Sequence, residues 1–296
     1  MLRGAVIGLG RMGSHHARKL ADRADVRLSL HDAAKGHSDP VNPSELDFAV
    51  IASPTLSHVE VALPLLRAGV ACLVEKPLAA DATQAAVLAA FPRLSVGHIE
   101  RFNPAVRALP PVRPGFVECV RLAPWKAAAP GERGTDVDVI GDLMVHDLDL
   151  VRTWLGPGPV QDVRAVGFDL RGCGLDLVDA RLEIGPSPGF PGGVASLRAS
   201  RLSPTGVRTA RLFAEGAYWS LDLLQRQAHA IDGADPSLSP TRLTLPAQDA
   251  LDAEHEAFLA AVRGEAPFPC AGPEAMEVLE LVQRVREASL SRCTHP

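Results

Sequence analysis

From residue 1 to about 110, short β-branched runs alternate with longer stretches of helical spacing. Arg3–Ile7 reads as a buried strand ended by Gly8, and Met12–Asp22 as a helix with apolar Met12, Ala17 and Leu20. Val26, Leu28 and Leu30 alternate with Arg27 and Ser29, the signature of a second strand ending at Asp32. Phe48–Ala52 predicts a third strand, Val59–Ala68 a helix stopped by Gly69, and Ala71–Val74 a fourth strand. Asp81 caps a helix running to about Phe91, and Leu94–Val96 begins another strand. Such alternation predicts a parallel, doubly wound α/β sheet, the Rossmann type. Pro64 inside the second helix predicts a kink or an early break.

After Pro110, Pro111 and Pro114 the pattern changes. Strand-like segments recur at Phe116–Leu122, Val160–Leu170, Leu175–Ile184, Val194–Leu202, Val207–Ala214 and Tyr218–Leu223, with turn residues between them. They predict an α+β domain on a mostly antiparallel open sheet. A helix from about Val139 to Trp154 interrupts the strands, the Pro- and Gly-rich stretch Gly185–Gly193 reads as a hairpin loop, and Ala250–Arg263 and Glu274–Ser289 close the chain as helices. The expected domains are residues 1–112, binding a dinucleotide, and 113–296, binding substrate and assembling the oligomer, with the last helix returning to the first domain.

Composition narrows the class. The formal net charge of -5 lacks the clustered basic face that nucleic acid requires. No apolar run approaches the ~18–20 residues needed to span a bilayer. The five cysteines (Cys72, Cys119, Cys173, Cys270, Cys293) are widely spaced, with no CxxC pair, as in reduced thiols. A soluble cytoplasmic protein with no metal site, no nucleic-acid partner and no membrane association is expected. Only four of the 30 basic residues are lysines (Lys19, Lys35, Lys76, Lys126), so a lysine in a chemically suggestive place stands out.

Gly8-Leu9-Gly10-Arg11-Met12-Gly13 matches GxGxxG. The pattern alone is weak; following a strand and opening a helix, it is that of a pyrophosphate cradle. Asp32, about 20 residues on at the end of the second strand, is placed to accept the adenosine ribose hydroxyls and to repel a 2′-phosphate, which favours NAD over NADP. Lys35 nearby leaves NADP as the lesser option, and a plain turn residue is the structural alternative for Asp32. Glu75-Lys76-Pro77 follows the fourth strand, so Lys76 lies at the ligand-binding edge of the sheet, where an ammonium can stabilise alkoxide charge; a Lys-Pro there can also be only a turn. Asp142 and His146, four apart, share one helix face. That spacing alone fits half of a metal site, a solvated charge pair, or a proton acceptor with a substrate-orienting carboxylate.

Taken in order, the GLGRMG turn, Asp32, the Ser53-Pro54-Thr55…His58 segment, Glu75-Lys76-Pro77 and Asp142…His146 resemble the Gfo/Idh/MocA oxidoreductases over the whole chain. The resemblance implies that the glycine turn, Asp32, Ser53, Pro54, Thr55, His58, Glu75 and Lys76 bind the cofactor. It also implies that His146 is the general base, that Lys76 orients and polarises the hydroxyl, and that Asp142 helps bind a sugar. Val96–Val106, with Arg101 and Asn103, and Asp142–Asp149 are similar to the UDP-N-acetylglucosamine 3-dehydrogenase branch of the family. Arg101 and Asn103 would then lie near the substrate or the cofactor's nicotinamide end, with Trp125 and Lys126 as lesser candidates; alternatively Asn103 simply caps a helix. The activity implied is NAD-dependent oxidation at C3 of a nucleotide-linked amino sugar. A dehydrogenase of inositol or another sugar, and a dinucleotide-binding regulator without turnover, are the alternatives. The resemblance implies a homodimer or homotetramer, for which an antiparallel sheet leaves one face available. Two departures stand out: residues 32–47 are too short for a full strand–helix repeat, implying a more open adenine pocket, and Val139-Ile140 stand where many relatives have glycines, implying a stiffer loop.

Overall fold

The computed structural model describes residues 1–37, 39–125, 137–170, 172 and 174–290. Lys126, Cys173 and Cys293 therefore lie outside the described residues. The chain divides into two compact units, one of Met1–Ile99 with Ala250–Leu279, the other of Glu100–Asp249 with Glu280–Pro296.

The first unit is a parallel sheet of β1 (Leu2–Ile7), β2 (Val26–His31), β3 (Phe48–Ile51), β4 (Ala71–Glu75) and β5 (Leu94–Gly97), in the order β2-β1-β3-β4-β5. Alternate strand residues feed two apolar layers. Val6, Val50 and Leu73 pack with Leu20 of α1 (Arg11–Ala21) and with Phe258 and Leu259 of α6 (Ala250–Val262). Ala5, Ala49, Ile51, Cys72 and Val74 pack with Leu65 of α2 (His58–Arg67), Leu88 of α3 (Ala82–Ala89) and Ala275 of α7 (Gly272–Leu290). Helices on both faces force ligands to the carboxyl edge, where the strand order reverses between β1 and β3. Between β2 and β3 the described residues form two 3₁₀ turns, Ala33–Lys35 and Pro43–Glu45, instead of an α-helix. The break expected at Pro64 does not occur. α2 continues to Arg67, because the buried Leu65 and Leu66 anchor the turn beyond the proline and only three helical residues follow it.

The second unit is an eight-stranded sheet in the order β13-β12-β11-β10-β6-β9-β8-β7, antiparallel except where β6 (Phe116–Leu122) pairs with β9 (Gly193–Ser200). The other strands are β7 (Val160–Phe168), β8 (Leu177–Ile184), β10 (Val207–Ala214), β11 (Ala217–Asp222), β12 (Gln227–Asp232) and β13 (Thr241–Arg242). The loop 185–193 closes the β8–β9 hairpin as the Gly/Pro pattern predicts. The helix expected over 139–154 is instead a π-helical turn, Ile140–Met144, leading into α5, Val145–Leu155. Val139, Ile140 and Met144 are fully buried, so the widened turn is anchored by apolar contact. β12 and β13 were not predicted, each being short or weakly patterned, whereas α4 (Pro104–Arg107) is the helix expected in the alternative reading of Asn103.

Candidate functional site

In the first unit the glycine turn meets the requirements of a phosphate cradle. Gly8 has φ +89° and a Cβ there would lie 2.4 Å from the Ser53 backbone nitrogen; a Cβ on Gly13 would lie 1.7 Å from the Gly8 carbonyl oxygen. A Cβ on Gly10, in contrast, would meet no protein atom within 4 Å, so the room beside that residue is available to a ligand. α1 begins at Gly10 with no side-chain cap and no acid in its first turn, leaving its positive end for an anion. Leu9 is buried, Arg11 exposed and Met12 half-buried. These residues fit a dinucleotide.

Asp32 fixes the turn as well as facing the cleft. Its Oδ2 accepts the Leu9 N–H at 2.7 Å and its Oδ1 the Ala34 N–H at 3.0 Å, while Lys35 donates its ammonium to the Leu9 carbonyl. Each carboxylate oxygen keeps lone pairs for ribose hydroxyls. A cleft of about 360 Å³ is lined here by Gly8, Asp32, Ser53 and Pro54, together with His31 and His37.

Ser53 and Thr55 are buried and Pro54 is exposed at the end of β3. His58, fully buried, has Nε2 3.0 Å from the Ser53 carbonyl and Nδ1 3.1 and 3.2 Å from the Pro77 and Leu78 carbonyls. It therefore ties the β3 end to the turn after β4. Lys76, half-buried, follows β4 directly, before a cis bond to Pro77. Glu75 turns its carboxylate inward, 2.9 Å from Nε2 of His16.

In the second unit Asp142 lies in the π-helical turn and His146 at the second residue of α5, both partly exposed. π-Helical turns recur at functional sites. Arg201, at the end of β9, donates to the Val137 and Asp138 carbonyls at 2.6 and 3.0 Å and lies 3.4 Å from Asp142 Oδ2, so Asp142 has a guanidinium beside it. Arg286 clasps Asp138 at 2.6 and 3.0 Å, and Asp138 Oδ1 accepts the Gly141 N–H. Burial opposes the charge of Asp138, but Arg286 and that N–H hold its carboxyl below the usual range.

Two ion clusters fix α5 around His146. Arg101 forks onto buried Asp149, its Nε 2.9 Å and its Nη2 2.7 Å from the carboxylate. Fully buried Arg121 bonds Asp147 through Nε and Nη2, at 2.7–3.1 Å, and Glu100 through Nη1 at 2.8 Å. Burial disfavours the Arg121 cation, yet Asp147 and Glu100 outweigh it and hold the group charged. Burial likewise opposes Glu100, but Arg121 and Arg208 keep its carboxyl below the usual range; for Asp147 burial prevails and pushes the carboxyl up. Asn103 caps α4: Oδ1 accepts the Ala105 N–H, and Nδ2 donates to Glu100 and to the Leu223 carbonyl. Trp125 is 40 % exposed.

The pattern analysis missed His16, Arg121, Asp138, Arg201, His255 and Arg286. Of these only His16 carried a signal: it falls with Gly13 and Leu20 on the buried stripe of α1. Among the described residues no three His, Cys, Asp or Glu side chains gather as a metal site, and no helix is long and apolar enough to cross a membrane.

The model of an oxidoreductase family with an NAD-binding Rossmann fold, Gfo/Idh/MocA, matches residues 23–93. The chain is 35% identical to UDP-N-acetylglucosamine 3-dehydrogenase of Acidithiobacillus ferrooxidans, over 97% of each chain. A solved structure of that enzyme superposes with a TM-score of 0.86 at 33% identity, covering 98% of each chain. An inositol 2-dehydrogenase of Rhizobium meliloti is 30% identical over 54% of this chain and 56% of its own. The likeness to levoglucosan dehydrogenase in complex with NADH, TM-score 0.82 at 17% identity over 99% of this chain and 98% of that one, is one of fold.

Proposed function

The chain belongs to the Gfo/Idh/MocA oxidoreductase family, and we propose that it oxidises the C3 hydroxyl of a nucleotide-linked N-acetylamino sugar, UDP-N-acetylglucosamine being the compound to test. The carrying observation is that similarity to the 3-dehydrogenase extends over 97% of both chains, whereas the match to the inositol dehydrogenase covers 54% of this one. Substrate identity is set by a whole site, so the full-length match has the greater weight.

His146 takes the hydroxyl proton, as an imidazole suited to transfer near neutral pH. Lys76 donates to the same oxygen and stabilises its partial negative charge as the ketone forms. Asp142, held by Arg201, accepts from a sugar hydroxyl. Arg101 acts on α5 through Asp149, and Asn103 through the start of α4. When bound, the nicotinamide dinucleotide supplies the hydride acceptor. The glycine turn and α1 hold its pyrophosphate, Asp32 its ribose, and residues 53–55, His58 and Glu75 shape the adjoining strand ends. Two features favour NAD over NADP: the Asp32 carboxylate faces the cleft, and the Lys35 ammonium is already engaged by the Leu9 carbonyl.

The protein assembles through the open face of its larger sheet. That face carries Phe116, Phe213 and Tyr218 in mutual contact, flanked by the cross-strand pairs Arg211–Glu118 and Arg198–Asp179. An aromatic patch with charges of both signs suits a self-complementary interface. Light scattering should give a dimer or tetramer; a monomer at micromolar concentration overturns this assignment.

The function is tested by offering the purified protein UDP-N-acetylglucosamine, myo-inositol and free N-acetylglucosamine, each with NAD, and with 2-oxoglutarate added so that tightly held NADH is recycled. A keto-sugar product from the nucleotide sugar alone is expected. Turnover of inositol instead, or NAD binding without redox change on any of the three, overturns the proposal.

A further inference from the structure

A polar ladder runs through the interior of the first unit. His16 of α1 is fully buried, with Nε2 2.9 Å from Oε1 of Glu75 and Nδ1 2.8 Å from Nε2 of His255 on α6. Glu75 is 4% exposed and His255 and its neighbour Glu254 are each 1% exposed. One proton arrangement serves both contacts: His255 Nε2–H donates to His16, and His16 Nε2–H donates to the Glu75 carboxylate. The same two helices supply Leu20 and Phe258 to the apolar layer, and an apolar side chain at residue 16 would meet a packing need without the desolvation cost of imidazole and carboxylate. The ladder's ends are informative. α1 starts at the glycine turn, and Glu75 is the last residue of β4, immediately before Lys76.

We propose that His16 is a positioning residue for Lys76, acting through the Glu75 carboxylate, with His255 fixing the His16 ring. The inference rests on the reading of Lys76 as the group that polarises the substrate hydroxyl. By clamping Glu75 to the helix that opens on the cofactor turn, the ladder sets where the strand ends and hence where the lysine amine sits.

The chain holds four lysines, so reductive ¹³C-methylation yields four side-chain dimethylamine signals, and Lys76→Arg identifies one of them. In His16→Ala the Lys76 signal should be displaced while that of Lys35 stays. In His16→Gln, whose amide can donate to Glu75, it should move back toward wild type. An undisplaced Lys76 signal in His16→Ala overturns the proposal. With UDP-N-acetylglucosamine and NAD, His16→Ala should lower kcat at least about tenfold with KM for NAD within about threefold. It should also raise the primary isotope effect of C3-deuterated substrate, because the chemical step becomes slower. A kcat that falls only with the folded fraction, at an unchanged isotope effect, overturns the positioning role. Inactive wild type counts against the substrate reading alone, and the Lys76 signal then decides the ladder. Should His16→Ala not fold, His255→Gln gives the same comparison, displacement supporting the ladder and none overturning it.

Discussion

Removing the guanidinium of Arg121 is the most informative perturbation of the second unit. Its side chain is 2% exposed and serves two carboxylates, Asp147 at 2.7 Å and Glu100 at 2.8 Å, whose side chains are 3% and 7% exposed. In Arg121→Met, Asp147 loses the guanidinium that forks onto it, and Glu100 keeps Arg208 at 3.5 Å and the Asn103 amide at 3.0 Å. Breaking a buried ion pair from one side costs about 3–5 kcal/mol, and at ~2–4 °C per kcal/mol Tm should fall by about 6–20 °C. The pH dependence should shift toward stabilisation by acid, because in the wild type the lowered carboxyl of Glu100 and the raised carboxyl of Asp147 act in opposite directions. In the wild type the lowered carboxyl of Glu100 contributes stability above the unfolded value near 4, lost as pH falls through its folded value. Without Arg121 the buried acids take up protons in the folded state that the unfolded chain does not bind, so the variant should gain stability between about pH 7 and pH 5. Adding Asp147→Asn should remove most of that gain. Urea denaturation at the two pH values, followed by tryptophan fluorescence, measures both effects. A loss under about 1 kcal/mol, or pH profiles parallel to wild type, would refute the reasoning.

Gly10→Ala should leave Tm nearly unchanged, within the ~0.5 kcal/mol of an ordinary surface change, yet weaken dinucleotide binding by at least about tenfold, since its Cβ enters the space left for the ligand; calorimetric titration with NAD checks it. Gly13→Ala, its Cβ set against the Gly8 carbonyl, should lower both Tm and NAD affinity. Asp32→Ala should weaken NAD binding and narrow its preference over NADP, while also loosening the turn that Asp32 holds through Leu9; comparing the two dissociation constants tests this. Arg286→Ala should remove stability present above about pH 4 and lost on acidification, but by less than about 1 kcal/mol because the arginine is 38% exposed; thermal melts at pH 7 and pH 3 should therefore lie closer together than in the wild type.

The parallel sheet was legible because each strand is a compact apolar run and each helix carries a three- or four-residue period, as in Val6, Val50 and Leu73 against Leu20. The glycine turn was legible because its constraints are local. The π-helical turn at Ile140–Met144 was not, since an extra residue per turn leaves an apolar pattern that still reads as α-helical. Glu75 illustrates the other limit: its place beside Lys76 was readable, but the direction of its side chain depends on His16 and His255, 59 and 239 residues away along the chain from the partners they meet. Arg121 lies on β6 and Arg201 directly after β9, and their neighbours in space come from α5 and its leading turn, a pairing no sequence period encodes.

The central claim is a redox step at one carbon of a nucleotide sugar, and deuterium transfer tests it most directly. Incubation with NAD and UDP-N-acetylglucosamine deuterated at C3 should give NADH one mass unit heavier by mass spectrometry, and the same substrate deuterated at C4 should give unlabelled NADH. Label arriving from C4, or no reduced cofactor from either compound, would contradict the account.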